Sequence, residues 1–227
     1  MTQITIGCLA LQGCVDRHAA HVEAAGAGFA AVKTPAQFEA VDGFILPGGE
    51  STTMLKLIER FDLWDSLAAQ FAAKPVWGIC AGAILLAEKA IYQTKTVSSC
   101  GLTAGSHGEQ TDPAIIPQGH LESQGDSKWA TQKSFGILPY TAIRNGYGRQ
   151  IDSEIITING YDVSYIRAPI LKDPADHVQI HARRNDLPVW VRSGKNMATT
   201  FHPELTLDTP SPMHTAFVDI VKKHKAA

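Results

Sequence analysis

Cysteine is scarce in this chain: four in 227 residues, at Cys8, Cys14, Cys80 and Cys100. None are spaced Cys-x-x-Cys, which argues against a zinc ribbon or a thioredoxin-like dithiol. So few cysteines in a chain of this size do not make a disulfide framework, and a reducing cytoplasm fits best. Charge of one sign is also missing. The formal net charge is −2 and no basic block stands out, so neither nucleic acid nor a membrane surface is indicated as a partner. No apolar run is long enough to cross a bilayer. Met1–Ile6 has no basic stretch ahead of an apolar one, the mark of a signal peptide. Several chemical motifs are incomplete. His-Glu-x-x-His does not occur, and Gly48-Gly49-Glu50-Ser51-Thr52 lacks the lysine of a phosphate loop. His202-Pro203-Glu204 lacks the Pro-Cys-x-x-Cys half of a zinc deaminase site.

What is present is apolar and alternating. Hydrophobic residues make up 44% of the chain, enough for a substantial core in one large α/β domain or two small ones. Ile4 to Leu11 is a nearly continuous apolar strand of the kind a parallel sheet buries. Val15 to Ala27 reads as a helix with Val15, Ala19, Val22 and Ala25 on one side. Strands follow at Phe29–Val32, Gly43–Leu46 and Val76–Ile79, with helices at Ser51–Phe61 and Leu63–Ala73 between the last two. Strand-helix alternation of this kind predicts a parallel sheet covered on both faces. From Gln93 to Ser134 the chain turns polar, which suggests a long loop or insertion. The second half is strand-dense, with hairpins expected at Asn159-Gly160 and Ser193-Gly194. A closing helix, about Pro212 to Lys223, puts Met213, Phe217, Ile220 and Val221 on one face. His18 and His21 read as residues of a half-exposed helix face. His107 and His120 have no convincing partners.

The chemistry concentrates at Cys80. An apolar strand ends in Gly78-Ile79-Cys80-Ala81-Gly82 and leads into Ala83–Glu88, which reads as a helix. With serine in place of cysteine this is a nucleophile elbow, a tight turn that lifts the side chain clear of the sheet. A helix starting just beyond the sulfur favours thiolate. A cysteine nucleophile needs a base, and the base an orienting group. His202 and Glu204 follow a strand, two apart, so their side chains face the same way. Glutamate on one imidazole nitrogen would leave the other for Cys80. Leu46-Pro47-Gly48-Gly49-Glu50-Ser51 closes a strand and opens a helix, so backbone N–H groups of Gly48 or Gly49, with that of Ala81, are candidates for an oxyanion hole. Each signal alone has a blander reading: a packing cysteine, a solvated histidine, an ordinary turn. Their coincidence in one α/β chain favours acyl transfer.

With these motifs in hand, the chain resembles the class I (triad) glutamine amidotransferases, and among them the glutaminase subunits of pyridoxal 5′-phosphate synthase. The resemblance rests on Leu9-Ala10-Leu11-Gln12-Gly13, Leu46 through Thr53, Gly78 through Gly82, Arg144-Asn145 with Tyr147 through Ser153, Tyr165-Ile166-Arg167-Ala168-Pro169, and Phe201 through Thr206. It implies a flavodoxin-like three-layer α/β sandwich around a mostly parallel, mixed sheet. It implies one amidotransferase domain over residues 1–227, with residues 93–134 as an insertion. Cys80 would attack the glutamine side-chain amide, His202 would carry the proton and Glu204 would orient it. Gly49, Glu50, Ser51, Arg144, Ile166 and Arg167 would contact glutamine. The arginines suit its carboxylate and Glu50 its ammonium. The ammonia would pass to a separate (β/α)8-barrel synthase subunit in a hetero-oligomer, and the chain itself would carry neither cofactor nor metal. A glutaminase or γ-glutamyl hydrolase of another pathway, or a glutamine-binding regulatory subunit, are the alternatives.

Overall fold

The structure, a computed structural model, describes residues 3–93, 129–146 and 153–227. Its first half runs β1 (Thr5–Leu9), α1 (Arg17–Ala24), β2 (Gly28–Val32), α2 (Pro35–Glu39), β3 (Gly43–Leu46), α3 (Ser51–Arg60), α4 (Trp64–Ala73), β4 (Val76–Ile79), α5 (Ala81–Leu86) and β5 (Ala87–Gln93). There follow β6 (Trp129–Gln132), β7 (Leu138–Ile143), β8 (Glu154–Ile158), β9 (Tyr161–Tyr165), β10 (Ile170–Lys172), β11 (Gln179–Arg184), β12 (Leu187–Ser193), β13 (Asn196–Thr199) and α6 (Pro212–Lys225).

The main sheet has the order β11-β12-β13-β4-β3-β1-β2. Its β13-β4-β3-β1-β2 part is parallel, and β11 and β12 close one side antiparallel. The central strands are apolar because both their faces are covered. Alternation sorts their side chains between two cores. Phe44, Leu46 and Val76 join the core beneath α2, α3, α4 and α5. Ile6, Cys8, Ile45, Trp77 and Ile79 join the opposite core, with Val22 of α1 and Met213, Phe217, Val218 and Val221 of α6. The result is the expected three-layer α/β sandwich around a mixed sheet. The predicted hairpins form as β8-β9 and β12-β13.

A smaller sheet, β10-β7-β5-β6, lies beside the main one, and here the sequence reading needs correction. The helix after Cys80 stops at Leu86, and Ala87 and Glu88 already belong to β5. The last part of the polar 93–134 stretch is not loop, since Trp129–Gln132 pairs antiparallel with β5. Residues 94–128, with His107 and His120, lie outside the described residues, as do 147–152 of the Tyr147–Ser153 motif.

Candidate functional site

The strand-turn-helix at β4-α5 exists as the sequence suggests. Cys80 has φ 49° and ψ −99°, a conformation L-residues rarely adopt and one that costs on the order of 1–3 kcal/mol. The flanking glycines permit it. A Cβ on Gly78 would meet the Gly82 carbonyl at 2.6 Å, and one on Gly82 would overlap the Leu46 backbone. The elbow thus needs Gly-x-Cys-x-Gly so that β3, β4 and α5 can pack backbone to backbone. The Cys80 N–H donates to Thr199 O at 2.8 Å, tying the elbow to β13.

β13 leads on to His202 and to the 3₁₀ turn Pro203–Leu205, which bears Glu204. His202 Nδ1 is 2.8 Å from Glu204 Oε1, and both side chains are buried. Cys80 and His202 line the same cleft, and the Cys80 side chain is near enough to act on the imidazole. The sulfur also lies 3.8 Å from the Ile166 carbonyl. Burial works against a charged His202, but the contacts with Cys80 and Glu204 outweigh it and hold the imidazole well above its usual pKa. Burial likewise pushes the Glu204 carboxyl up, and its bond to His202 reverses this, so that it lies below the usual value. The pair is an imidazolium-carboxylate couple beside the Cys80 sulfur.

Gly48 backs onto the ring so closely that a Cβ there would overlap His202 Cε1. The Gly48 carbonyl accepts from Cys14 N–H at 3.2 Å. Peptide planarity therefore turns the Gly49 N–H away from that loop. Gln12 Oε1 accepts from Glu50 N–H at 2.8 Å and lies where a Cβ of Gly49 would be 2.5 Å from it. The loop after β1 thus grips the Gly48-Gly49-Glu50 turn from outside. Gln12 is a site residue that residue-by-residue reasoning misses, because its partner is a backbone N–H. Its only trace in the sequence is the Leu-Gln-Gly motif.

A cleft of about 290 Å³ opens above the sulfur, near the lower end for small-ligand pockets and suited to an amino acid. Gly48, Gly49, Glu50, Ser51, Cys80, Ala81, Arg144, Ile166, Arg167 and His202 all line it, so every residue singled out from the sequence faces it except Glu204, which stands behind His202. Two of them meet each other: Arg144 lies 3.4 Å from Glu50 Oε1, with its guanidinium also against Tyr92. Arg167 has φ 45°, and this kink separates β9 from β10 at the cleft wall. Ser51 is buried and donates to Gln132 Oε1 at 3.2 Å, which joins the cleft to the smaller sheet. Among the described residues no cluster of His, Cys, Asp or Glu is arranged to hold a metal ion.

Comparison with known proteins agrees with this architecture. Over 225 residues the chain is 39% identical to pyridoxal 5′-phosphate synthase subunit PdxT of Frankia alni, a match covering 96% of this chain and 94% of the relative. PdxT of Bacillus cereus is 37% identical over 230 residues, covering 98% and 97%. A crystal structure of a glutamine amidotransferase superposes with TM-score 0.70 at 29% identity, over 96% of this chain and 98% of that one. PurLQS from Thermotoga maritima, at 15% identity and TM-score 0.52 over the full length of both chains, shares the fold. Residues 8–119 and 120–223 match one family model, and with that match running from the first strand into the last helix, the chain belongs to the SNO glutamine amidotransferase family.

Proposed function

We propose that this chain is the glutamine-hydrolysing subunit of a pyridoxal 5′-phosphate synthase. The observation that carries the reading is the Cys80-His202-Glu204 line at the wall of an amino-acid-sized cleft. Cys80 as thiolate attacks the side-chain amide carbon of glutamine. Negative charge gathers on the amide oxygen, where N–H groups from the Gly48-Gly49 turn and from Ala81 receive it. His202 gives its proton to the leaving nitrogen, the C–N bond breaks, and ammonia departs from a γ-glutamyl thioester. His202 then takes a proton from water, the resulting hydroxide attacks the thioester, and glutamate leaves as the sulfur is restored. Glu204 keeps the imidazole in the orientation and tautomer both steps need. Arg144 and Glu50 exchange their mutual ion pair for the carboxylate and ammonium of the substrate, helped by Arg167, Ser51 and the Ile166 backbone.

The ammonia serves a separate synthase subunit, a (β/α)8 barrel, with which this chain forms a hetero-oligomer in the cytoplasm. Docking of that partner completes the oxyanion hole. Support comes from the names of the full-length relatives, which are synthase subunits. The test is ammonia release from glutamine with and without the barrel subunit. Release should rise on adding the partner and vanish in Cys80→Ala, while glutamine still binds because binding and attack use different groups. Release that ignores the partner would instead indicate a free hydrolase.

A further inference from the structure

The smaller sheet reaches the cleft through one pair of side chains. Ser51 opens α3, is buried at 2% exposure and lines the cleft beside Glu50. Its hydroxyl donates to Gln132 Oε1 at 3.2 Å. Gln132 is the last residue of β6, and antiparallel pairing sets it against Ala90 of β5. The same pair of strands serves Arg144. Its backbone N–H donates to Ile91 O at 2.9 Å, and its guanidinium lies against the ring of Tyr92. Strands β5 and β6 thus brace two residues of the cleft, Ser51 and Arg144.

The bond between Ser51 and Gln132 has a direction. A carboxamide has an oxygen that accepts and a nitrogen that donates. Gln132 Nε2 is buried and has no partner among the described residues, and buried polar groups are rarely left so. Since the Ser51 bond engages the oxygen alone, the oxygen is what the site uses of this side chain. A serine hydroxyl has one proton and two acceptor lone pairs. With its proton committed to Gln132, Ser51 Oγ meets a ligand only as an acceptor. Glu50, the N-cap of α3, makes no side-chain cap bond, and its carboxylate is held by Arg144 alone at 3.4 Å. Two consecutive residues lining the cleft are therefore acceptors, one charged and one neutral. An ammonium group, a cation with three donors, is the ligand group that matches both. A hydroxyl free to turn would suit a carboxylate equally well.

On the proposed glutaminase reading, we infer that Gln132 is a positioning residue that sets specificity: its carboxamide oxygen holds the Ser51 proton away from the substrate, so that Ser51 and Glu50 together receive the ammonium of glutamine. Gln132 is not among the residues that line the cleft, and it acts through Ser51. The consequence is selection for a free α-amino group, because a site built to pair a donor of its ligand rejects the analogue that lacks it.

The test measures binding by calorimetry to the complex with the barrel subunit, on a Cys80→Ala background that prevents turnover. The two ligands are glutamine and 4-carbamoylbutanoate, which is glutamine without its α-amino group. Gln132→Met keeps the length of the side chain and removes the acceptor. Gln132→Glu keeps an acceptor and has no N–H. The expected result is glutamine binding weakened about threefold to tenfold in Gln132→Met, the worth of one hydrogen bond between neutral groups, with binding of 4-carbamoylbutanoate unchanged. Gln132→Glu should bind glutamine at least as well as the parent, and with Ser51→Ala added, Gln132→Met should have no further effect. Unchanged glutamine binding in Gln132→Met, equal weakening for both ligands, a loss in Gln132→Glu as large as in Gln132→Met, or a Gln132→Met effect that persists beside Ser51→Ala overturns the inference. Ammonia release keeps the two claims apart. If the unsubstituted complex releases ammonia and Cys80→Ala does not, those results remove only the Gln132 role. No release from the unsubstituted complex, or release that survives Cys80→Ala, removes the glutaminase reading and this inference with it.

Discussion

At the scale of single residues, the site depends on close approach. Gly48 is a glycine because the His202 ring occupies the space a methyl would need. Gly48→Ala should push the imidazole off Glu204, and a displacement of about 1 Å is worth roughly a hundredfold in rate. Glutaminase kinetics beside a thermal melt would check this: turnover should collapse with little loss of stability, and unchanged turnover would show that the ring tolerates the contact. A second buried cysteine gives contrast. Cys8 sits in the apolar core, where burial first and the nearby Glu204 charge second push its thiol well above the usual value, so it stays protonated and inert. Sequence reasoning separates the two through context, since Cys80 has flanking glycines and a helix after it, while Cys8 lies mid-strand. It misjudges His18 and His21. A polar residue on a helix reads as half-exposed, and the group that satisfies His18 lies at residue 214, 196 positions away. No local pattern signals such a pairing.

At the scale of elements, legibility followed length and burial. Gly43–Leu46 and Val76–Ile79 stand at the boundaries the sequence suggests, because each is a short apolar run between turn residues. Helix α2 has five residues and strand β10 three, too few to show a period. The Ala87–Gln93 strand is written in residues that favour helix, and its strand state comes from pairing with β6 and β7 on either side. That switch from α5 to β5 is secured by Tyr140 of β7, whose buried hydroxyl donates to the Ala83 carbonyl at 2.7 Å. Tyr140→Phe removes this bond and leaves the carbonyl unmatched in the core. It should lower the unfolding free energy by about 1–3 kcal/mol, read from urea denaturation. A loss within a few tenths would mean that α5 is held by packing alone.

At the scale of the whole molecule, the buried histidines make stability depend on pH. Folding lowers the pKa of His18 to about 4 and lowers those of His21 and His214 as well, in each case chiefly through burial. Below about 6.5 the unfolded chain therefore binds more protons than the folded one, and stability falls as the pH falls. For His18 alone the loss is about 3 kcal/mol once its folded pKa is reached. His202 does not offset this. Its pKa is raised on folding, so its contribution is complete below about 6.5 and declines only as pH rises through the folded value. Glu204, whose pKa is lowered, adds its own loss below about 4.5. Urea midpoints between pH 7.5 and pH 5 should thus fall steadily, and a flat profile would mean that these rings take up protons without cost. The account's central claim, that Cys80 is the atom that attacks glutamine, is tested most directly by reacting the complex with a glutamine-shaped diazoketone and locating the adduct by peptide mass spectrometry. The account predicts one equivalent of label on Cys80, protection by glutamine, and ammonia release lost in step with labelling. Label on Cys8 or Cys14, or full ammonia release from protein labelled at Cys80, would contradict it.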